Sequence, residues 1–384
     1  MSTSTTPQHA RLITPAVIWF LLFSFCANTC LSLQMSALPW IAEDITGRAI
    51  AAGLTTGAMM LATVLGELDT PRLLSKLGYR RIMEIGIALL GFPSLLIIAF
   101  PNLATILLVA VCRGAGLAIT VVAGTALAVR MFPAHRRAEG LGLYGFVLSI
   151  PAMLLLPLGL WLTQRAGFDL LAMITAAAAI VGISLGRTLS TMHPGDRATH
   201  GIMTELRTPA ILRPTIVFGV STLALGILIT YLALAVPDDM RGLAAIGLLV
   251  QAACSSLSRW PSGRLGDRIG SRRLLAPSVF LCAIGMVGIV ATHNPVLLLS
   301  GMALFGLGLG AAQNSSLAIM FDRAAPGRDA QVSVVWNLAY DAGLGVGAVG
   351  FGILSGVTGF TWGFAIVAIL LFLAVVPAHL DRHS

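Results

Sequence analysis

Long apolar segments separated by short polar turns make up nearly the whole chain of 384 residues. Twelve segments can be marked, each long enough to cross a hydrocarbon layer of about 30 Å as a helix that rises about 1.5 Å per residue. They are residues 13–40, 50–69, 82–100, 104–131, 140–163, 168–188, 214–236, 243–262, 274–292, 296–321, 331–356 and 361–379. Because a span in lipid must satisfy its own backbone, and the alternating pattern of a membrane β-barrel is absent, the segments predict helices.

The composition agrees with this pattern, since 57% of the residues are hydrophobic and only 10% are charged. The longest polar gap, 189–213, is too short for a soluble domain. The net charge of +8 does not indicate nucleic-acid binding, because the charges lie in short turns between apolar segments. The five cysteines lie in apolar segments without metal-site spacing, so we expect neither a disulfide framework nor a metal. The first apolar run lacks a cleavage site and is predicted to be a span, not a signal peptide.

Lysine and arginine predict the orientation of the chain in the membrane. With twelve spans, 19 of the 24 basic residues fall on the side of the termini, three fall on the other side and two lie inside spans. We therefore expect both termini and the 189–213 loop to be cytoplasmic, in a multi-pass protein of the cytoplasmic (inner) membrane.

A repeat divides the chain into two halves. A shift of 192 residues aligns 71–81, PRLLSKLGYRR, with 263–273, GRLGDRIGSRR, without a gap. The same shift aligns Gly114 with Gly306 and Gly167 with Gly359. This predicts a six-helix half at 1–188, a linker at 189–213 and a second half at 214–384. Parallel repeats related by an axis along the membrane normal are typical of transporters, in which the substrate site lies between the repeats near the midplane.

Residues 263–273 resemble the signature loop of the major facilitator superfamily, and residues 71–81 resemble it with Ser75 and Pro71 in place of the acidic residue and the glycine. The resemblance implies an all-α membrane fold of twelve transmembrane helices and a transporter rather than an enzyme. In that family the acidic residue helps to lock one conformation by contacting neighbouring helix ends, a role that transfers to Asp267 and not to Ser75. We assign gating or conformational roles to Gly263, Arg264, Asp267, Arg268, Gly270, Arg272, Arg273, Arg72, Gly78, Arg80, Arg81 and Arg259.

Ionisable residues inside spans are costly and are candidates for function. Arg113, with Gly114, resembles part of a span-4 motif of proton-coupled antiporters, which implies a role in proton transfer; the alternative is an arginine that braces helices through backbone carbonyls. Asp341 lies well inside span 11 and is a candidate for proton or substrate handling, unless it forms a structural ion pair. Glu67 and Arg259 coincide under the 192-residue shift. They could close an inner gate across the halves, or each could reach water near a helix end.

Polar and aromatic side chains within spans are candidates to line a substrate cavity, with helix packing as the alternative for each. They are Asn28, Gln34, Tyr144, Tyr231, Gln313, Asn314, Trp336, Asn337 and Tyr340. The stretches GLGLYG (140–145) and GVGAVG (345–350) match a dinucleotide-binding motif only in letters, because they lie in predicted membrane helices without a βαβ unit.

The stretches SRWPSGRLGD and DAGLGVG resemble those of bacterial efflux permeases of the superfamily. We therefore expect a monomeric secondary transporter without a cofactor, which exports a small drug-like compound or metabolite in exchange for protons. An importer or uniporter of a small metabolite with the same fold stays open, since the span-5 antiporter signature is imperfect at Pro157 and Gly159. A membrane-embedded enzyme or receptor is disfavoured, because the sequence shows neither a catalytic constellation nor room for a signalling domain. The identity of the substrate stays open.

Overall fold

The computed structural model describes residues 12–47, 49–187, 209–237 and 241–380. The N-terminal segment to Arg11, the loop 188–208 and Arg382 lie outside the described residues, together with the predictions made for them. Within the described ranges the secondary structure is helical and contains no β-strand. The expected all-α fold is thereby confirmed.

The described α-helices are numbered in chain order, and one 3₁₀ turn, Ala134–Arg136, precedes the sixth. They are α1 (Pro15–Met35), α2 (Ala37–Thr46), α3 (Ala49–Gly91), α4 (Leu95–Ala99), α5 (Leu103–Met131), α6 (Arg137–Ala166), α7 (Phe168–Gly186), α8 (Pro209–Ala235), α9 (Arg241–Ile269), α10 (Ser271–Val290), α11 (Pro295–Asp322) and α12 (Asp329–Leu380).

Ten helical stretches among the described residues are long and apolar enough to cross a membrane, with α1 and α2 counted as one. Two of the ten contain a kink, α3 at Gly78 and α12 at Gly359, where the backbone leaves the helical conformation. Divided at these glycines, they yield the twelve helical segments that the apolar pattern predicts. The number of segments that cross the membrane stays a prediction.

The two signature segments are almost entirely helical, which corrects their interpretation as loops between spans. Helix α3 stays helical to Leu77, beyond the predicted end at residue 69, and α9 continues to Ile269 rather than ending at 262. Each turn consists of one glycine, Gly78 or Gly270, whose positive φ a side chain would strain. Arginine and lysine are good helix formers, so charge marked the end of the apolar segment and not the end of the helix.

Three other predicted boundaries were wrong. The predicted span 82–100 is interrupted after Gly91, where Pro93 cannot donate a backbone hydrogen bond to a continuing helix. The predicted span 13–40 breaks at Ser36, between α1 and α2. Helix α8 begins at Pro209, inside the segment predicted as a linker, because proline is well tolerated in a first helical turn.

The repeat is visible in the backbone itself. Gly78 and Gly270, which are 192 residues apart, have φ of 75° and 93°. Gly167 and Gly359, also 192 apart, have φ of 86° and 75°. Four of the six positive-φ glycines in the described ranges thus form two pairs at the offset seen in the sequence. This recurrence supports the division into two six-helix halves.

Contacts between helices repeat with the same offset. A side chain at Gly114 would collide with the backbone carbonyl of Met59, and a side chain at Gly306 would collide with that of Gln251. Both the glycines and the carbonyls are 192 residues apart. Glycine lets the two helices of each pair approach closely, so the same crossing is built twice.

Side-chain caps also recur at this spacing. Asn102 accepts a hydrogen bond from the backbone N–H of Thr105 at the start of α5 (3.0 Å). Asn294 accepts from Val296 (3.0 Å) and Leu297 (3.2 Å) at the start of α11. Each asparagine satisfies helix N–H groups that have no partner within the helix. Helices α5 and α11 therefore begin at equivalent positions for the same reason.

Buried apolar residues form three cores. One lies within α8–α12 and one lies within α1–α7. The third joins the two parts, with Phe20 and Tyr144 from one and Phe321 and Val335 from the other. Many exposed side chains are large and apolar, such as Ile353, which suits a surface in contact with lipid. All five cysteines are free thiols.

Candidate functional site

The two parts of the chain meet at the end of the molecule that carries Gly78 and Gly270, here named the turn end. The shared apolar core lies there, between α3, α5 and α6 on one side and the end of α11 with the start of α12 on the other. The most extensive packing across the interface joins α6 to α9, while α3 and α12 touch over a much smaller area.

Two ion pairs cross the interface at the turn end. Arg130 Nε lies 2.6 Å from Asp329 Oδ2, and Arg137 Nη1 lies 3.2 Å from Asp322 Oδ1. Positions 130 and 322 are equivalent under the repeat, and so are 137 and 329. In a two-fold interface, a contact between i and j recurs between their equivalents. The two pairs are therefore one contact made twice, with both arginines in the first half and both aspartates in the second.

Sequence reasoning missed these pairs, although a signal was available. Arginines at 130 and 137 have aspartates at their equivalents, 322 and 329, near the cytoplasmic ends of predicted spans. In a two-fold interface each arginine can then bind the equivalent of the other, so the charges are complementary at both copies of the contact.

Asp267 caps a helix of the other half. Its carboxylate accepts hydrogen bonds from the backbone N–H groups of Ala138 (2.9 Å) and Glu139 (2.7 Å), in the first turn of α6. These groups have no acceptor within their own helix, and the helix dipole favours an anion at this end. The contact that the family resemblance implies for Asp267 is thus present. Its equivalent Ser75 donates instead to the carbonyl of Arg72 in its own helix (2.8 Å).

The other residues of the signature segments lie mainly on the surface. Arg72 pairs with Asp69 (3.5 Å) and Arg80 with Glu84 (3.1 Å), both within α3. Arg81, Arg264, Arg268 and Arg273 are exposed and Arg272 is partly buried. Gly263 is buried against the carbonyl of Ala138, where a side chain would collide. The contact across the interface therefore comes from Gly263 and Asp267, and the exposed arginines suit an anionic lipid surface.

Arg259 binds the opposite half, but it does not pair with Glu67. Its guanidinium group donates to the carbonyl of Gly145 in α6 (3.1 Å) and to the side-chain carbonyl of Gln313 in α11. The predicted gate pair between Glu67 and Arg259 is absent from the ion pairs of the described residues. Gly142 and Gly145 leave room for α9 against α6, so the arginine reaches a backbone carbonyl there.

Glu67 lies close to Asp341 instead. Their charges interact across the contact between α3 and α12. The Glu67 side chain is 2% exposed, and its Oε2 has no hydrogen-bond partner. Neither residue forms an ion pair within the described part of the chain. The interface therefore contains two carboxyl groups without an ion-pair partner among the described residues.

This carboxyl pair lies deeper than the sequence suggests. Glu67 is ten residues from the helical end at Leu77, and Asp341 is twelve residues from Asp329 at the start of α12. At about 1.5 Å per residue both are roughly 15–18 Å from the turn end. The alternative that Glu67 reaches water near a helix end is wrong, because Glu67 is buried and α3 continues for ten residues beyond it.

An aromatic stack lies beside these charges. Trp336 stacks on Phe218, with ring centroids 4.6 Å apart, and on Tyr340 at 6.3 Å. The Trp336 indole N–H donates to the hydroxyl of Ser316 (3.1 Å). Tyr340 interacts electrostatically with both Arg259 and Asp341. The stack therefore lies within electrostatic range of the arginine and of one member of the carboxyl pair.

The remaining predicted cavity residues make contacts that favour helix packing. These contacts are Asn28 donating to the carbonyl of Leu148, Gln34 accepting from Ser94 (2.5 Å), Tyr144 stacking on Phe20 (5.3 Å), Tyr231 donating to the carbonyl of Ala348 (2.8 Å), Asn314 donating to the carbonyl of Ala138 (3.1 Å) and Asn337 donating to the carbonyl of Ser333 (2.8 Å). Among them, the Asn314 contact crosses the interface.

Arg113 is completely buried and braces three helices. Its guanidinium group donates to the carbonyls of Leu90 (2.5 Å), Cys30 (3.1 Å) and Leu31 (3.0 Å). Helix α3 ends at Gly91, so the carbonyl of Leu90 is one of the groups that a helix end leaves without a partner. A cation at this position is also favoured by the helix dipole. These contacts favour the bracing interpretation over a role in proton transfer.

Comparisons with known proteins agree with this architecture. The model of the Major Facilitator Superfamily matches residues 20–258 and 215–382. The fold is similar to that of a variant of the E. coli fucose:proton symporter FucP, with a TM-score of 0.81, 15% identity and coverage of 97% of this chain and 99% of that chain.

Two further solved structures share the fold. The human organic anion transporter MFSD10 (TETRAN) has a TM-score of 0.78, 13% identity and coverage of 95% of this chain and 100% of that chain. A bacterial homologue of the iron transporter ferroportin has a TM-score of 0.76, 13% identity and coverage of 97% and 100%. No curated protein matches the sequence.

Proposed function

The chain belongs to the Major Facilitator Superfamily and is a transporter rather than an enzyme, and we propose that it exports a small organic solute in exchange for protons. The unpaired carboxyl groups of Glu67 and Asp341, one from each half, carry the proposal. The solute is a drug-like compound or a metabolite, and the transporter is a monomer in the cytoplasmic membrane.

Transport by alternating access requires a contact between the halves that can open. The ion pairs of Arg130 and Arg137, the Asp267 cap and the Arg259 contact are all polar and all cross the interface. Water can replace each of them when the turn end opens. Halves at 1–188 and 214–384 then rock against each other about the site between them.

The distribution of basic residues supports a cytoplasmic position for the turn end and for both termini. Lys76, Arg80, Arg268 and Arg273 lie at this end, in agreement with the positive-inside rule. In this orientation the structure corresponds to a transporter that is closed towards the cytoplasm.

Protons enter the mechanism at the interface between α3 and α12. Two ionised carboxylates without a cation would repel each other there, and a bound proton removes that repulsion. When the turn end opens, the two groups separate and water reaches them, which favours release of the proton into the cytoplasm. The pair therefore provides a way to carry protons inward while solute moves outward.

An importer or uniporter with the same fold is the second candidate. It is favoured by the bracing contacts of Arg113, which remove one argument for antiport. The similar fold of a fucose:proton symporter shows that the architecture also suits symport. Solute accumulation driven by a proton gradient would favour an importer, and transport that survives loss of the gradient would favour a uniporter.

The test measures accumulation of fluorescent dyes and antibiotics in an efflux-deficient bacterium that expresses the chain, with and without a protonophore. Wild type should lower accumulation, and the protonophore, Asp341→Asn and Glu67→Gln should each abolish this effect. Asp69→Asn is the matched control, since it removes an exposed carboxylate two residues from Glu67 in the same helix. Efflux by both carboxyl variants at wild-type membrane abundance would contradict the proposed proton site.

A further inference from the structure

The interface contains one arginine and two carboxyl groups that do not pair with one another. We propose that the transported solute carries charges of both signs, with its anionic group at Arg259 and its cationic group between Glu67 and Asp341. The inference rests on the proposed function, because it assigns a substrate class to the same site.

Arg259 has the features of an incomplete anion site. Both of its partners, the carbonyls of Gly145 and Gln313, are neutral acceptors, and its Nε has no hydrogen-bond partner. It forms no ion pair with any described carboxylate. A mostly buried cation without a counter-ion is costly, and a guanidinium group binds a carboxylate or phosphate through paired hydrogen bonds. An anionic group of the solute would supply the missing charge.

Glu67 and Asp341 have the opposite deficiency. Their charges interact, yet no described hydrogen bond or ion pair satisfies the Glu67 Oε2 atom. An ammonium group has three donors and one positive charge, so it can offset one of the two negative charges and supply those hydrogen bonds. A proton offsets one negative charge of the pair as well, and the ammonium group and the proton therefore compete for one place. Such competition is what exchange requires.

The two charged places are held apart by the protein. Arg259 is tied to α6 and α11, while the carboxyl groups belong to α3 and α12. Tyr340 interacts electrostatically with Arg259 and with its neighbour in the chain, Asp341. Its stack with Trp336 offers an aromatic surface to the uncharged part of the solute. With one proton on the carboxyl pair the three groups have no net charge, and the ammonium group of the solute can take the place of that proton charge for charge.

The test uses three probes that share one aromatic scaffold and differ in charge. L-phenylalanine is a zwitterion, its methyl ester is a cation and N-acetyl-L-phenylalanine is an anion. Binding to the purified full chain in detergent is followed by the rise in the thermal unfolding midpoint with probe concentration. The wild type should bind the zwitterion about tenfold more tightly than either singly charged probe, since only the zwitterion satisfies both places.

Variants separate the two places. Arg259→Gln should weaken binding of the zwitterion and of the anion about tenfold and leave the ester unchanged, and Arg259→Lys should retain part of the affinity. Asp341→Asn should weaken the zwitterion and the ester but not the anion. Arg165→Gln, on an exposed arginine near the end of α6, is the control and should change nothing.

Equal binding of the three probes, tightest binding of the ester, or no binding at all would overturn the proposal. Loss of affinity for all three probes in Arg259→Lys would also overturn the proposal. The measurement needs no proton gradient. A failure here therefore leaves proton-driven efflux to be judged by the accumulation assay, and a failure of that assay leaves the binding result standing.

Discussion

At the scale of single residues, burial without a partner separates the groups that can act from those that hold the fold. Arg113 and Glu67 are both buried in helices. Arg113 donates to three carbonyls and only its Nε lacks a partner among the described residues, while Glu67 Oε2 has no such partner. A buried charge with most of its hydrogen bonds made stabilises one arrangement of helices. An unsatisfied one is stable only if a proton or a ligand completes it.

Replacement of Arg113 by alanine should therefore lower the stability of the fold more than it impairs the coupling of transport to protons. Three backbone carbonyls lose a charged donor, which should cost roughly 2–4 kcal/mol. The measurement is the thermal unfolding midpoint in detergent, with Arg165→Ala on the exposed end of α6 as control. Loss of proton coupling at unchanged stability would instead restore the role in proton transfer.

At the scale of elements, the contact of α6 with α9 depends on glycine. A side chain at Gly142 would collide with the backbone carbonyl of Arg259, and one at Gly263 would collide with that of Ala138. Backbone atoms cannot move aside as the end of a flexible side chain can. The closed turn end therefore requires small residues on both helices.

Gly142→Ala should open the turn end. Amide hydrogen exchange should become faster around Asp267, because separation of α6 and α9 breaks the cap. Gly345→Ala is the matched control, since that glycine is also inside a helix and has open space at the position of a side chain. Unchanged exchange in Gly142→Ala would show that the helices can close with a methyl group between them.

The two halves also differ at their helix caps. Asp267 caps α6, whereas its equivalent Ser75 binds within its own helix. Under the repeat, residue 75 is equivalent to residue 267 and the start of α12 is equivalent to the start of α6. Only one of the two equivalent helix ends thus receives an anion from the opposite half.

Ser75→Asp should stabilise the closed turn end by placing a second cap at the start of α12. A cap contributes about 1 kcal/mol, so the closed state should gain severalfold in population and transport should slow. Initial transport rates at matched membrane abundance provide the measurement, with Ser75→Asn as the uncharged control. A faster or unchanged rate would count against a locking role for this position.

At the scale of the whole molecule, the interface combines repeated structure with opposite charge. Arg130 and Arg137 face Asp329 and Asp322, so a duplicated contact attracts at both of its copies. If residues 322 and 329 were basic like their equivalents Arg130 and Arg137, both copies of the contact would repel. Opposite charges in the two halves thus allow a two-fold arrangement to close by polar contacts that water can replace.

Exchanging the charges of the Arg130–Asp329 ion pair tests this arrangement. Arg130→Asp alone should place two acidic groups together and weaken closure, while Arg130→Asp with Asp329→Arg should restore it. Transport is measured for both single variants and for the double variant, which isolates the coupling of the pair. If the loss of transport in the double variant equals the sum of the losses in the two single variants, the pair does not contribute to closure.

The sequence alone determined the helical membrane fold, the twelve apolar segments and the 192-residue repeat, because hydrophobic length and glycine positions are local properties of the chain. It also pointed to Glu67, Arg259 and Asp341, since charge inside an apolar segment is visible without a structure, and to Asp267 through its place in the signature segment. Helix ends were less visible, because a charged segment can stay helical.

Only the tertiary structure decided which of these residues meet. The sequence suggested Glu67 with Arg259, but α6 lies close enough to α9 for Arg259 to bind Gly145, and Glu67 lies near Asp341 instead. Partners across an interface depend on how far each helix extends and on which face of it packs against the other half. Those quantities arise from long-range packing, and no local pattern in the chain encodes them.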